Sequence, residues 1–192
     1  MKPHARAKEP VRYAFYMRGA KKIYVETLDN TIAVRFREGV KTDIDHALRA
    51  LGQVRIDRSQ RLAIVEFIDA AQRDRAEKRL QKWLDDGIAE FVTPVLRDAD
   101  SQLYQILTDE ITVRFESVLP LKRLKAMEQK YGVTVARQNE FVPNQFIVKV
   151  AQPEGLRTLE VASQLDAADE VEFAAPNFIS EHRRQTNHKD MR

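Results

Sequence analysis

The spacing of apolar residues predicts a strand near the start of each half of the chain. In residues 31–36, which read Thr-Ile-Ala-Val-Arg-Phe, the side chains of Ile32, Val34 and Phe36 fall on one face at a period of two. This period is typical of a half-buried strand. The motif returns 79 positions later as Glu-Ile-Thr-Val-Arg-Phe at 110–115, so the chain carries the same predicted strand twice.

A second pair of matching motifs supports an internal duplication. Ala-Glu-Phe at 89–91 returns as Val-Glu-Phe at 171–173, an offset of 82, and a proline follows three residues after each phenylalanine. Two landmarks at nearly the same offset indicate one module that is present twice. Each copy occupies about half of the chain.

Helical periodicity and end signals predict two helices in each half. The predicted helices are 44–51, 70–85, 121–131 and 156–165. Gly52, Gly87 and Gly132 follow three of them, and glycine in this position takes a positive φ at low cost. Alternating or continuous apolar runs predict the remaining strands at 53–57, 62–67, 88–92, 133–138, 145–150 and 171–174.

Strand, helix, strand, strand, helix, strand is the order of a ferredoxin-like domain, in which both helices cover one face of an antiparallel sheet. The sequence therefore predicts an α+β fold of two tandem ferredoxin-like (βαββαβ) domains with antiparallel sheets, plus an N-terminal β-hairpin. A further hairpin across 98–101 is expected to bridge or extend the sheets. The predicted organisation is a flexible basic N-terminus 1–10, a first repeat 11–98, a second repeat 99–179 and a flexible tail 180–192.

Composition indicates a soluble globular protein. The 192 residues are 43% apolar and 32% charged, without a run of 18 apolar residues that could span a bilayer. No apolar stretch of the signal-peptide type follows the basic N-terminus, so the sequence as written predicts a cytoplasmic protein without a membrane partner. The absence of cysteine excludes disulfides and thiolate chemistry.

Charge is distributed unevenly along the chain. The total is +3, but residues 1–22 carry +6 and residues 180–192 carry +2, which leaves −5 in the middle. The high isoelectric point therefore describes the ends of the chain. Because the middle offers no obvious phosphate-binding face, a nucleic-acid partner is disfavoured.

Four ordered blocks in the second half carry a family resemblance. They read Thr-Asp-Glu-Ile-Thr-Val-Arg-Phe at 108–115, Lys-Tyr-Gly at 130–132, Val-Pro-Asn-Gln-Phe-Ile-Val at 142–148 and Val-Glu-Phe-Ala-Ala-Pro-Asn-Phe at 171–178. Together they resemble the fervidolysin-type N-terminal prodomain of subtilisin-like serine proteases. The first half looks like an additional prodomain copy, which makes the resemblance a tandem duplicate.

The resemblance implies a non-catalytic, propeptide-like protein that binds, inhibits or assists the folding of a subtilisin-like serine protease, in cis or encoded nearby. In such prodomains the sheet lies on two surface helices of the protease, and the C-terminal extension enters the active-site cleft. Ala175 stands where the family usually has an acid. Carried over by position, the candidate protease-binding residues are Glu172, Phe173, Ala175, Pro176, Asn177, Phe178, Ser180, Glu181, His182, Arg183 and Arg184.

The residues disfavour an enzyme. A subtilisin-like protease needs an Asp, a His and a Ser nucleophile in their own glycine-rich contexts, and the chain has only six glycines. The histidines do not form a ligand pattern, and no glycine-rich phosphate loop occurs, so neither a metal nor a cofactor is expected. The histidines are His4, His46, His182 and His188.

Two alternative functions remain open. A ferredoxin-like tandem could be repurposed as an interaction or regulatory module without a protease partner. A four-stranded sheet with basic flanks could also bind RNA, and Arg114 and Phe115 are suggestive of such a surface. The aromatic-rich RNP1 pattern is missing, however, which makes the RNA-binding alternative the weaker one.

Overall fold

The computed structural model describes residues 12–17, 21–40, 44–98 and 103–180, and it confirms the predicted helices and strands in these ranges. The strands predicted at 31–36, 88–92, 110–115 and 171–174 are longer than predicted and cover 21–36, 89–98, 104–115 and 171–180. The predicted tails lie outside the described ranges, except for Ser180. In chain order the elements are β1 (Arg12–Met17), β2 (Lys21–Phe36), α1 (Ile44–Arg49), β3 (Gln53–Asp57), β4 (Leu62–Glu66), α2 (Ala70–Asp85), β5 (Ala89–Asp98), β6 (Tyr104–Phe115), α3 (Leu121–Tyr131), β7 (Val133–Gln138), β8 (Gln145–Val150), α4 (Arg157–Asp166) and β9 (Val171–Ser180).

The prediction of two tandem ferredoxin-like domains with their own sheets is wrong. All nine strands belong to one antiparallel sheet with the order β3-β4-β2-β5-β6-β8-β7, in which β1 also pairs with β2 and β9 with β6. The cause is the length of β5 and β6, which continue beyond their own halves and pair with each other. Leu96 faces Gln105 at the centre of this pairing, so hydrogen bonds join the two halves directly.

The duplication is nevertheless present in the backbone pairing. Arg35 of β2 pairs with Phe91 of β5, and the register then shifts by one residue at Glu90. Arg114 of β6 pairs with Phe173 of β9, and the register shifts at the equivalent residue. A bulge adds one residue to a strand and redirects its side chains. Both copies therefore carry the same irregularity at the same place.

Each half buries one side of its strands beneath two helices. The first-half core contains Phe36 and Trp83, whose ring centroids are 5.9 Å apart, and the second-half core contains Phe115 and Phe146 at the same separation. The Asp69 carboxylate accepts a hydrogen bond from Gln72 N at 2.7 Å and caps α2. Among the described residues, no helix is long and apolar enough to cross a membrane.

The glycines after the helices follow the prediction in two of three cases. Gly87 and Gly132 have φ values of 70° and 65°, as expected for helix ends. Gly52 does not have a positive φ, so that prediction is wrong. A Cβ at this position would lie 2.4 Å from the backbone oxygen of Glu66, and the close approach of β4 is what requires glycine here.

Two further apolar clusters contain residues from both halves. One, on the helix-free face of the sheet, contains buried Leu62 and Phe91 from the first half and buried Ile106 from the second. The other places Val25 of β2 against Leu159 of α4. The predicted N-terminal hairpin is also present, because β1 pairs along β2, although its turn lies outside the described residues. The shared clusters make the two halves one packing unit.

Candidate functional site

The predicted binding residues of β9 divide between the two faces of the sheet. Pro176 pairs with Ile111, whose side chain is buried beneath the helices, and Phe178 packs with Leu107 and Leu159. These residues face the interior. Of the predicted binding residues, Glu172, Phe173, Ala175 and Asn177 lie on the helix-free face. Ser180 ends the strand, and the other candidates, Glu181, His182, Arg183 and Arg184, lie outside the described residues.

Asn177 is held by a network that fixes β9 against β6. Thr112 Oγ1 donates a hydrogen bond to Asn177 Oδ1 at 2.8 Å, and Thr108 Oγ1 donates to the backbone oxygen of Asn177 at 3.0 Å. Asn177 Nδ2 lies 3.3 Å from Glu110 Oε2, to which it donates. Lys149 Nζ lies 3.2 Å from Asp109 Oδ2 and extends the network. Because its amide is used internally, Asn177 positions the strand.

An Arg-Glu ion pair lies on the helix-free face of both halves, with one difference. Arg35 Nε is 3.2 Å from Glu90 Oε2, and Arg114 Nε is 3.0 Å from Glu172 Oε2, in neither case aligned for a hydrogen bond. Glu90 also binds Arg61 through Oε1 at 3.2 Å. Among the described residues, Glu172 has Arg114 alone, and its side chain is 45% exposed against 26% for Glu90. One oxygen of Glu172 can therefore accept a further donor.

The equivalent phenylalanines also differ between the copies. Phe91 is 1% exposed because the shared cluster on the helix-free face covers it. Phe173, its equivalent in β9, is only partly buried and belongs to none of the buried clusters among the described residues. Ala175 and Ile147 are likewise partly exposed on this face. The first copy buries this phenylalanine by packing on its helix-free face, whereas the equivalent surface of the second copy stays partly exposed.

We name the helix-free surface of the second half the open face, defined by Arg114, Ile147, Glu172, Phe173 and Ala175. The predicted protease-binding residues include the β9 members of this set but not Arg114 or Ile147, although both lie in the sequence motifs and Arg114 is a candidate in the RNA-binding alternative. The period-two alternation could have found both, since each is separated by one position from a residue buried under the helices, Val113 and Val148 respectively.

The turns at the end of the sheet differ in polarity between the copies. The β3–β4 turn at 58–61 is polar, and Asp57 Oδ1 accepts hydrogen bonds from Ser59 Oγ, Ser59 N and Gln60 N. The Ser59 hydroxyl, followed by the Gln60 N–H, lowers the pKa of the Asp57 carboxyl. The β7–β8 loop at 139–144 is longer and carries Phe141 at its tip. The second copy is therefore the more apolar at this end.

The described residues contain no group of three or more His, Asp and Glu side chains placed to hold a metal ion. His46 is exposed on α1. An apolar groove with a volume of about 200 Å³ lies between the halves, lined by Leu62, Ile64, Ile106 and Ile179 among others. This volume is below the range of about 300–1,000 Å³ that is usual for ligand pockets. A wider cleft of about 660 Å³ beside α2 falls within that range, but most of the residues that line it are polar, among them Glu77, Gln81 and Glu154. Among these features, the open face is the strongest candidate for function.

Comparison with known proteins finds sequence similarity to two proteins that are named as proteases. No model of a known protein family matches the chain. The chain is 26% identical over 117 residues to a protein of Trichormus variabilis named calcium-dependent protease, and 27% identical over 117 residues to one of the same name from Nostoc sp.. Each match covers 61% of this chain but only 17% of the relative. The chain is thus similar to a segment of proteins named as proteases, and spans about a sixth of their length.

Proposed function

We propose that the chain is a non-catalytic, propeptide-like protein that binds a subtilisin-like serine protease through the open face, and inhibits the protease or assists its folding. The observation that carries the proposal is the contrast between Phe91 and Phe173. In two copies with the same pairing and the same bulge, one phenylalanine is fully buried inside the protein and the other is only partly buried. A partner protein would supply for Phe173 the cover that the shared cluster supplies for Phe91.

The composition of the open face suits a protein partner. Ile147 on β8 and Phe173 and Ala175 on β9 supply apolar area, and β6 contributes Thr112 and Arg114 between these two strands. Protein interfaces mix apolar and polar surface in this way. Because the residues stand on paired strands, with β6 held between β8 and β9, little conformational entropy is lost when a partner docks.

The accessible oxygen of Glu172 indicates what the partner presents at this point. A carboxylate oxygen accepts hydrogen bonds, so the partner is expected to offer a cation or the N–H groups at the start of a helix. The second possibility agrees with the resemblance, which implies docking on surface helices of the protease. The names of the relatives support association with a protease, and the propeptide role is our extension from the motifs at 108–178.

The segment that follows Ser180 has a separate role in the proposal. Residues 181–192 would enter the active-site cleft while the open face holds the protein on the surface of the protease. Attachment of both elements to one rigid sheet raises the effective concentration of the segment at the cleft. Inhibition would then depend on two weak contacts that reinforce each other.

Inhibition of a purified subtilisin-like protease by the full chain tests the proposal. We expect saturable inhibition that is weakened by at least ~10-fold in Phe173→Ala, a loss typical of an interface centre. Leu121→Ala is the matched control, because Leu121 is 67% exposed on α3, on the other side of the sheet. Immediate digestion of the chain without any inhibition would refute the proposal and favour the interaction-module alternative.

A further inference from the structure

The loop 139–144 presents the most exposed large apolar side chain among the described residues. Phe141 is 91% exposed, more than Ile68 at 83% or Leu121 at 67%. Single exposed apolar residues are ordinary on protein surfaces and need no explanation by themselves. The exposure of Phe141 becomes informative because the loop around it is held in place and because of where the loop lies.

Hydrogen bonds hold the loop from several directions. Phe141 N donates to Asn139 Oδ1 at 2.9 Å, and Asn139 N donates to the backbone oxygen of Gln145 at 2.8 Å. The loop is also tied to the end of β6, because Phe115 N donates to the backbone oxygen of Asn144 at 2.9 Å and Asn144 Nδ2 donates back to Phe115 O. A tip fixed in this way loses little entropy on binding, which favours a role in recognition.

The loop continues the open face at one end. Gln145, the first residue of β8, pairs with Arg114 in β6, and Arg114 pairs in turn with Phe173 in β9. Residues 139–144 therefore lie just beyond the row that contains Arg114 and Phe173. Glu172 contacts this row through its ion pair with Arg114. The corresponding turn of the first copy is polar at all four positions, 58–61. The apolar tip thus occurs in the copy whose face is open.

We propose that Phe141 is a second anchor of the open face and inserts into an apolar pocket on the surface of the partner protease. The inference rests on the proposed function and adds a specific partner feature, a pocket large enough for one aromatic ring beside the site that receives Phe173. Interfaces concentrate their binding energy in a few such buried aromatic residues. Loss of an anchor acts mainly on the rate at which the complex dissociates.

Binding kinetics on a subtilisin-like protease with its catalytic serine replaced by alanine test the inference, since this protease cannot cleave the chain. We expect Phe141→Ala to dissociate about 10- to 100-fold faster, as follows from the usual contribution of one buried aromatic side chain. Ile68→Ala is the matched control, a similarly exposed apolar residue in the first half, and should bind as the unchanged chain does. Both variants should unfold at the same temperature as the unchanged chain.

The outcomes separate the anchor from the proposed function. If Phe141→Ala binds normally while Phe173→Ala binds weakly, the anchor is refuted and the protease-binding function stands. Equal losses in Phe141→Ala and Ile68→Ala would show nonspecific apolar adhesion and would also overturn the anchor. If the unchanged chain binds no subtilisin-like protease, both the function and the anchor are overturned.

Discussion

Replacing the two equivalent phenylalanines by alanine tests whether the two copies use their helix-free faces differently. Phe91→Ala removes a side chain that is 1% exposed within the cluster shared by the halves. Phe173→Ala removes the same side chain from the same register position in the second copy, where it is only partly buried. Both phenylalanines follow a bulged glutamate and pair with an equivalent arginine, so the difference in stability reports the difference in packing.

The expected magnitudes follow from burial. Truncation of a fully buried phenylalanine costs about 3–5 kcal/mol, because the transfer free energy is lost and a cavity remains. For the partly buried Phe173 we expect about 1 kcal/mol, roughly half of the transfer free energy of a phenylalanine and no enclosed cavity. The two variants should therefore differ by about 2–4 kcal/mol. At about 2–4 °C per kcal/mol for a chain of this size, Phe91→Ala should unfold at least ~4 °C below Phe173→Ala.

Urea unfolding followed by two probes provides the assay. Trp83 is the single tryptophan and lies in the first-half core, so its fluorescence reports that half, whereas far-ultraviolet circular dichroism reports both. Because apolar clusters join the halves, the two transitions should coincide in the unchanged chain. Equal costs for the two substitutions, or a fluorescence transition separate from the dichroism transition, would refute the shared packing on which the open face depends.

Three further outcomes are expected. Gly52→Ala should lower the free energy of unfolding by about 1–3 kcal/mol, measured by urea titration, because the added Cβ meets the Glu66 backbone oxygen. The hydrogen bond from the Ser59 hydroxyl lowers the pKa of Asp57 in the folded state. The ionised Asp57 carboxylate therefore contributes fully to stability above the ordinary aspartate pKa of 3.8, and this contribution is lost as the pH falls through the pKa of Asp57 in the folded state. An NMR titration that finds the Asp57 pKa at or above 3.8 would contradict this. Deletion of 181–192 should weaken inhibition at least ~10-fold while docking to the serine-to-alanine protease remains measurable; undiminished inhibition would refute the role of the segment.

Local elements could be predicted from the sequence, and so could the hairpin across 98–101 that links the halves, but the merging of both sheets into one could not. The periods of two and 3.6 residues depend on neighbours along the chain, so Ile32, Val34 and Phe36 sufficed to locate a strand. A single sheet with apolar clusters shared between the halves involves contacts between residues far apart in the chain instead. Phe91 and Phe173 each follow a glutamate and precede a proline by three residues, yet Phe91 is fully buried and Phe173 only partly. Burial of this kind is decided by distant elements.

The candidate site could be predicted in part. The motifs identified β9, and strict alternation would then place Glu172 and Phe173 on opposite faces. The bulge at Glu172 brings both to the helix-free face, because the extra residue interrupts the alternation. A similar limit applies to Gly52, where a helix-end rule suggested a positive φ and the real requirement is space for β4. Backbone irregularities and close approaches are set by the assembled sheet.

The pairing of β5 with β6 also bears on how long such a protein would survive beside a protease. A proteolytic cut between the halves, at 99–102, would leave two fragments that are still held together. The β5–β6 pairing joins them, and both fragments contribute residues to the shared apolar clusters. Nicking at that point would therefore not release either fragment. Degradation would instead wait for the whole sheet to open, so the half-life of an inhibited complex would be governed by the unfolding rate of the sheet.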